Sequence, residues 1–175
     1  MNRNAVIRNI GNVANLSTPL GLLVAVAGRG RLSVVEGLVV ADRVTLPGVT
    51  ASAMTIGSVV LVPRRSLSEA RARIPGLLEH EGHHAYQWAY CLGLPFIAAY
   101  GAATGWSWLR SGDRAAANTF EVQAGLALGG YPARETRPVD DGLRAMAGAA
   151  ASWFSGAGAR RSGRPGAASA ADEDA

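Results

Sequence analysis

The three histidines of this chain, His80, His83 and His84, fall within one short stretch, with Glu81 beside the first of them. On a helix, residues four apart lie on one face, so His80 and His84 point in the same direction. Two neutral imidazoles at this spacing can hold a Zn²⁺ ion, and the adjacent carboxylate can take a proton from water bound to the metal. The His-Glu-x-x-His pattern therefore predicts a metal site.

A pattern this short also arises by chance, and the two histidines could be ordinary surface residues of a helix. The residues that flank them, such as Leu77, Leu78 and Trp88, are apolar and predict a buried helix instead. A zinc site of this type needs a third protein ligand and keeps its fourth position open. An acidic residue downstream of His84 could complete it.

Glu121 is the best candidate for the third ligand, because it is the single charge in "AAANTFEVQAGLALGG". A lone carboxylate in an apolar helix is costly unless it is paired or bound to metal. Asp113 is better explained as a helix cap, and the acidic residues between 135 and 141 lie in a polar stretch with proline. The alternative places Glu121 on a solvent-facing stripe together with Asn118.

The pattern of a His-Glu-x-x-His helix followed by a helical glutamate resembles the gluzincin branch of the zinc metallopeptidases. "HEGHHAYQ" and "AANTFEVQA" also resemble small bacterial His-Glu-x-x-His-x-x-Gln proteins, and the resemblance covers residues 53–131. It implies a zincin-like active-site helix, Zn²⁺ as cofactor, and hydrolysis of a peptide or protein substrate. It further implies His80, His84 and Glu121 as metal ligands and Glu81 as general base.

The resemblance also implies an edge strand above the metal that pairs with extended substrate. "MTIGSVVLV" is the candidate, and Gly57 would allow close approach of the substrate backbone. Gluzincins often carry an aspartate four residues after the ligand glutamate, which orients the first histidine. This sequence has Gly125 there, so we expect Asn118 or a backbone carbonyl to supply that hydrogen bond. The missing aspartate keeps open the alternative of a zinc-bound scaffold or interaction module without catalysis.

Other polar residues are weaker candidates for the site. Gln87 continues the face of His84 and is expected to form a hydrogen bond near the metal. Tyr100 and Tyr131 are candidate donors to a developing oxyanion, without a spacing argument for either. His83 is expected to be a packing or polar neighbour.

The elements that position these residues are predicted from turn and capping signals. "SVVEGLVVADRV" and "SAMTIGSVVLV" are rich in β-branched residues and flank the turn "TLPG", which predicts a hairpin or part of a small sheet. A short helix is predicted between Ser17 and Gly28, and Ser66 with Glu69 predicts a capping box. Further helices are predicted over 75–92, 95–110, 114–128 and 139–154. The expected fold class is α+β, with an N-terminal hairpin or small sheet followed by helices.

Length and composition predict one domain over residues 1–154 and a disordered tail over 155–175, which is rich in glycine, alanine, serine, arginine and proline. The net charge is +4 and all basic residues are arginines spread along the chain. This distribution predicts mild attraction to anionic surfaces and no nucleic-acid binding. The single cysteine excludes an internal disulfide and is compatible with a reducing compartment, so we expect a cytoplasmic protein.

The stretch from 85 to 109 is uncharged and holds seven of the eleven aromatic residues, so it needs its own explanation. One interpretation is a helical hairpin packed inside the domain and bent at Gly93-Leu94-Pro95. The other is peripheral contact with a membrane surface, where tryptophan and tyrosine tolerate the mixed environment. We favour the packed hairpin. A membrane span would place half of the predicted metal-binding helix in hydrocarbon.

Overall fold

The computed structural model describes residues 3–162 and has a mixed α+β fold. The helices are α1 (Arg3–Ala14), α2 (Ser17–Ala27), α3 (Leu67–Arg73), α4 (Leu77–Tyr90), α5 (Pro95–Ser111), α6 (Thr119–Ala124) and α7 (Val139–Ser162). The strands are β1 (Arg31–Val35), β2 (Leu38–Val44), β3 (Met54–Ile56) and β4 (Val59–Pro63). The predicted fold class, α+β with a small sheet followed by helices, is confirmed. Helix α1, which was not predicted, precedes α2 and the sheet.

The sheet has the strand order β1-β2-β4-β3. Strands β1 and β2 form one hairpin and β3 and β4 another, while β2 and β4 run parallel with Val40 opposite Val60. The expected hairpin around "TLPG" is therefore wrong, because each of the two segments folds back on itself. The reason is turn chemistry. Glu36-Gly37 and Gly57-Ser58 form two-residue turns with positive φ at Glu36, Gly37 and Gly57, as tight hairpins require.

The core lies on both faces of the sheet. Val60 and Val62 pack toward Leu78 and Ala85 of α4, and Val59 and Leu61 pack on the opposite face, in the cluster that contains Ala25 of α2. Every residue of β4 is buried, since the strand is central and covered on both sides. Burial of an aliphatic side chain contributes about 1.5–3 kcal/mol, so this strand anchors α4 firmly.

The capping box at the start of α3 is confirmed. The Ser66 hydroxyl accepts from the Glu69 N–H, and the Glu69 carboxylate accepts from the Ser66 N–H. Helices α4 and α5 lie close to the predicted bounds, and Gly112 ends α5 in the left-handed conformation.

The helix predicted over 114–128 is much shorter in the structure, where α6 spans only Thr119–Ala124. Two capping residues divide this segment. Asp113 accepts from the N–H groups of Ala115 and Ala116, as expected of a cap, but the backbone then turns instead of continuing as a helix. Asn118 provides the cap of α6 by accepting from the Phe120 N–H. A second capping side chain after the first therefore delays the start of the helix.

Helix α7 continues past its predicted end at residue 154 and reaches Ser162. Residues 155–162 of the predicted disordered tail are thus helical. Alanine and arginine have high helix propensity, and an existing helix extends without a new nucleation step. The remaining predicted tail, 163–175, lies outside the described residues.

The aromatic stretch forms the second half of α4 and most of α5, with a bend at Gly93. The packed-hairpin prediction holds for Trp88 and Phe96, which are buried, but not for Trp106 and Trp108, which are 46% and 51% exposed. Helix α5 packs on α6 and α7 and, at its start, on α4, where the ring centroids of Phe96 and Trp88 are 5.1 Å apart, but Trp106 and Trp108 lie outside these contacts. Among residues 3–162, no single helix combines the length and apolarity needed to cross a bilayer; α1 and α2, bent by 76°, meet that test only as a pair.

We expect the turn at Gly57 to be intolerant of a side chain. A Cβ there would lie 2.4 Å from the Thr18 backbone nitrogen, whereas a Cβ at Gly48, which also has positive φ, would meet nothing within 4 Å. Gly57→Ala should lower the free energy of unfolding by about 2–4 kcal/mol, through crowding added to backbone strain. Gly48→Ala should cost only the backbone strain of about 1 kcal/mol. Urea denaturation of both variants measures this, and equal losses would contradict the packing of the turn against α2.

Candidate metal centre

Helix α4 carries the predicted histidine pair into the interior. Its first turn is fixed by the N–H of His80, which donates to the Gly76 carbonyl, and by Leu77 and Leu78 in the core. His80 and His84 lie one turn apart and are 2% and 8% exposed. The alternative that they are surface residues is therefore wrong.

Helix α6 brings Glu121 against the two histidines. Glu121 Oε2 lies 3.2 Å from His80 Nε2 and 3.7 Å from His84 Nε2, and the two Nε2 atoms are 3.1 Å apart. Glu121 is 2% exposed and Asn118 is fully buried, so the solvent-facing stripe is also wrong. Three candidate ligand atoms lie within 4.8 Å of one another, and this buried group could hold a metal ion.

The donor chemistry of the three side chains fits a cation. Within the described residues, Glu121 Oε2 is a buried side-chain oxygen without a hydrogen-bond partner of good geometry, although two imidazoles lie close to it. Such an oxygen is costly unless a positive charge compensates it. Two neutral imidazole nitrogens facing each other can share only one proton between them. A divalent ion between the three atoms would satisfy all of them at once.

Charge in the site favours a cation as well. Burial alone would raise the pKa of Glu121, but interactions with His80, His84 and Tyr100 overcome it and hold that pKa well below its usual range. Burial alone would lower the pKa of His84, yet Glu121 and Glu81 raise it above the ordinary value. The centre therefore stabilises positive charge at His84, as expected of a group that can bind either a proton or a metal.

Each histidine is oriented through its Nδ1 atom. His80 Nδ1 lies 3.1 Å from the Gly125 carbonyl oxygen, and His84 Nδ1 lies 2.7 Å from Gln87 Oε1. A proton on Nδ1 that is donated to these oxygens leaves the Nε2 lone pairs free toward Glu121. The expectation that a backbone carbonyl would replace the missing aspartate is confirmed by Gly125. The alternative, Asn118, is wrong, because that side chain caps α6.

Gln87 links the two helices of the centre. Its Oε1 faces His84, and its Nε2 donates to the Phe120 carbonyl at 2.9 Å, next to Glu121 in the chain. The predicted hydrogen bond near the site is confirmed. The glutamine of the His-Glu-x-x-His-x-x-Gln pattern thus fixes both the second histidine and the helix that carries the third candidate ligand.

Two further residues shape the centre. Tyr100, proposed from the sequence as an oxyanion donor, instead donates its hydroxyl to Glu121 Oε1. Gly129 lies against the His80 ring, where an added Cβ would come 2.6 Å from Cε1. A side chain at position 129 would collide with the imidazole ring, so this contact requires glycine. The sequence alone does not show the contact, because Gly129 and His80 are far apart in the chain.

Glu81 is buried beside the centre, at 4% exposure, and lines the same cavity as the histidines. The Thr55 hydroxyl donates to Glu81 Oε2 at 2.7 Å. Burial raises the pKa of Glu81, against the lowering effect of His84, Thr55 and His80. Thr55 was missed by sequence reasoning, since a threonine in a β-branched strand carries no special signal.

A cavity of about 340 Å³ opens next to the centre. It is bordered by all three β3 residues and by apolar side chains of α2, α4 and α5; these are Leu20, Trp88, Phe96 and Ile97. The edge-strand prediction is correct only for β3, because β4, the rest of the "MTIGSVVLV" segment, is central in the sheet. Gly57 packs on the start of α2 and does not approach the cavity.

His83 lies outside the cluster, since its Nδ1 atom faces the Ala124 carbonyl oxygen at 3.2 Å. Its predicted role as a polar neighbour is confirmed.

Comparisons with protein families, curated proteins and solved structures found no match for this chain. The interpretation of the centre therefore depends on its geometry.

We expect that replacing any one of the three clustered side chains removes high-affinity binding of a divalent metal. His80→Ala, His84→Ala and Glu121→Ala each delete one ligand atom of a three-ligand site. His83→Ala is the matched control on the same helix, and both it and wild type should bind one metal per chain. Metal analysis after gel filtration and calorimetric titration measure the loss. Full occupancy in His84→Ala would contradict the assignment.

Gln87→Ala should weaken metal binding without abolishing it. Loss of the Oε1 partner frees the ring of His84 and loosens α4 against α6, and losses of such outer partners cost about 10–100-fold in affinity. Competition with a chromophoric chelator gives the change in dissociation constant. An unchanged constant, with a normal circular dichroism spectrum, would mean that Gln87 has no orienting role.

Proposed function

We propose that this protein is a zinc-dependent hydrolase that cleaves peptide bonds, with a site resembling that of gluzincins. The observation that carries the proposal is Glu81. Its carboxylate is buried in the same cavity as the His80, His84 and Glu121 group and accepts a hydrogen bond from the Thr55 hydroxyl. A structural metal site has no need for such a fourth group, whereas hydrolysis does.

Zinc is the metal that suits these ligands best. Two imidazole nitrogens and one carboxylate oxygen are a common ligand set of catalytic zinc, with one position left for water or substrate. The cavity lies beside the three ligand atoms and supplies that open side. Soft ligands that would favour copper, and the larger set of oxygen ligands that calcium needs, are lacking in the cluster formed by the described residues.

A bound Zn²⁺ ion would lower the pKa of a water molecule and polarise a substrate carbonyl. Glu81 Oε1 would be the oxygen that accepts a proton from attacking water, because the Thr55 hydroxyl already donates to Oε2. Glu81 can then donate that proton to the leaving amine nitrogen. Tyr100 holds Glu121, and its pKa is well above the usual value through burial and the charge of Glu121, so it remains a neutral donor.

Tyr131 is the candidate donor to the carbonyl oxygen. It lines the cavity, its ring centroid lies 5.8 Å from that of His80, and burial is the main reason that its pKa rises to about 12. A phenol with that pKa keeps its proton at neutral pH and can hydrogen-bond an oxyanion. Arg114, the hydrogen-bond partner of Tyr131, can only donate, so the Tyr131 O–H proton remains available for the role that Tyr100 cannot fill.

A peptide fits the cavity better than a highly charged substrate. Most of the lining is apolar, and β3 is an edge strand that can present its backbone to an extended chain. One of its carbonyls is already used, because Thr55 O accepts from Trp88 Nε1 at 2.8 Å. Pairing would therefore involve the remaining backbone groups of the strand and of residues 51–53, among which Ala51 and Ala53 also line the cavity.

Glu81→Gln should retain one zinc per chain and lose about 10²–10⁴-fold in kcat. Glutamine has the same shape but cannot take a proton from water. The assay is a fluorogenic peptide library with zinc content measured on the same samples, and His83→Ala is the control for changes in α4. Equal activity of Glu81→Gln and wild type would refute the mechanism. Zinc-loaded wild type that cleaves no peptide would favour the rival, a zinc-binding scaffold without catalysis.

A further inference from the structure

Helix α1 is amphipathic in the inverted sense, with its polar side turned inward. Arg8 and Asn12 are buried at 5% and 0% exposure. Arg8 Nη2 donates to the Gly37 carbonyl and Asn12 Nδ2 to the Ala85 carbonyl, both at 2.8 Å. These bonds satisfy the buried polar groups and fix α1 to the sheet and to α4. Both buried polar side chains on the inward side of α1 therefore have hydrogen-bond partners within the protein.

The outward side of α1 is apolar. Ile7, Ile10 and Val13 are 58%, 64% and 53% exposed and recur at the spacing of one helix face. A helix in a monomeric soluble domain normally shows the opposite arrangement. Contiguous exposed apolar surface of this kind marks a site of interaction.

The apolar surface continues toward the cavity. Asn15 donates to the Trp88 carbonyl at 3.2 Å and lies against Gly93, so the end of α1 adjoins the turn between α4 and α5. Leu16, Leu92 and Leu94 on these two segments are 69%, 75% and 59% exposed. The outer residues of α1 and these three leucines are called the apolar face below. Ile97, which lines the cavity, is 54% exposed just beyond Leu94.

The apolar face itself carries no acidic side chain. Residues 3–16 and 85–97, which hold all of its members, contain no aspartate or glutamate. Their charged residues are Arg3, which is exposed at the start of α1, and Arg8, which is buried. The chain as a whole has a net charge of +4. Exposed leucine and isoleucine without acidic side chains among them, on a positively charged protein, are complementary to anionic lipid headgroups above an acyl layer. A second copy of the chain would bring two net positive charges together, which opposes self-association.

We propose that the apolar face binds the surface of a membrane that contains anionic lipids. Helix α1 lies in the headgroup region with Ile7, Ile10 and Val13 inserted. This orientation places the turn at Leu92 and Leu94, and with it one side of the cavity, near the lipid. The inference does not depend on the proposed hydrolytic activity.

The test is flotation of the purified full chain with phosphatidylcholine vesicles, with and without about one-third phosphatidylglycerol. We expect binding to the anionic vesicles, reduced about tenfold or more by 0.5 M salt or by omission of phosphatidylglycerol. The double variant Ile7→Glu/Ile10→Glu should lose about tenfold or more of that binding. The matched control is Leu32→Glu/Val34→Glu on β1, where the original side chains are 50% and 75% exposed. It should bind as wild type does.

Circular dichroism and metal content of all variants confirm that folding is unchanged, since every replaced side chain is exposed. Absence of wild-type binding to anionic vesicles would overturn the proposal. Equal loss in both double variants would also overturn it, because general negative charge would then explain the effect. Sedimentation velocity without lipid tests whether a second copy of the chain binds the apolar face instead. A dimer that Ile7→Glu/Ile10→Glu dissociates, with no vesicle binding, would assign the face to a second copy instead.

Discussion

The centre depends on the interaction between the buried carboxylate of Glu121 and the imidazoles of His80 and His84. An ionised carboxylate away from water is expensive unless positive charge or hydrogen bonds compensate it. Here His80 and His84 face one oxygen and Tyr100 donates to the other. The low pKa of the group shows that these partners outweigh its desolvation. A metal ion at the shared position would complete the compensation that the imidazoles begin.

The fold supplies rigidity for this arrangement from two directions. Helix α4 is held by the fully buried strand β4 through Leu78 and Ala85. Helix α6 is short, but both of its ends are tied to the centre, through Gln87 to Phe120 and through His80 to Gly125. The same hydrogen bonds that orient the histidines therefore also hold the helix that carries Glu121. The positions of the candidate ligands and the packing of α6 on α4 depend on the same hydrogen bonds. A substitution that disturbs one is therefore expected to disturb the other.

A second constraint concerns α1, where polar residues face inward and apolar residues outward. Arg8 and Asn12 are tolerated in the interior because backbone carbonyls of a β-turn and of α4 accept their hydrogen bonds. Their burial leaves no inward position for Ile7 and Ile10, which remain exposed. The inverted helix adjoins the turn between α4 and α5, and Ile97, which lines the cavity, follows that turn on α5.

The sequence alone determined the residues able to do chemistry, because helical periodicity is local. The spacing of His80 and His84 and the isolation of Glu121 in an apolar segment were enough to nominate the cluster. Local signals also predicted the Ser66 cap and the bounds of α4 and α5. The contacts between distant segments were decided only by tertiary structure. These include Thr55 at Glu81, Tyr100 at Glu121, Gly129 against His80 and the parallel pairing of β2 with β4. Periodicity and capping act over a few residues, whereas these contacts depend on how whole elements pack, and no short-range pattern encodes that.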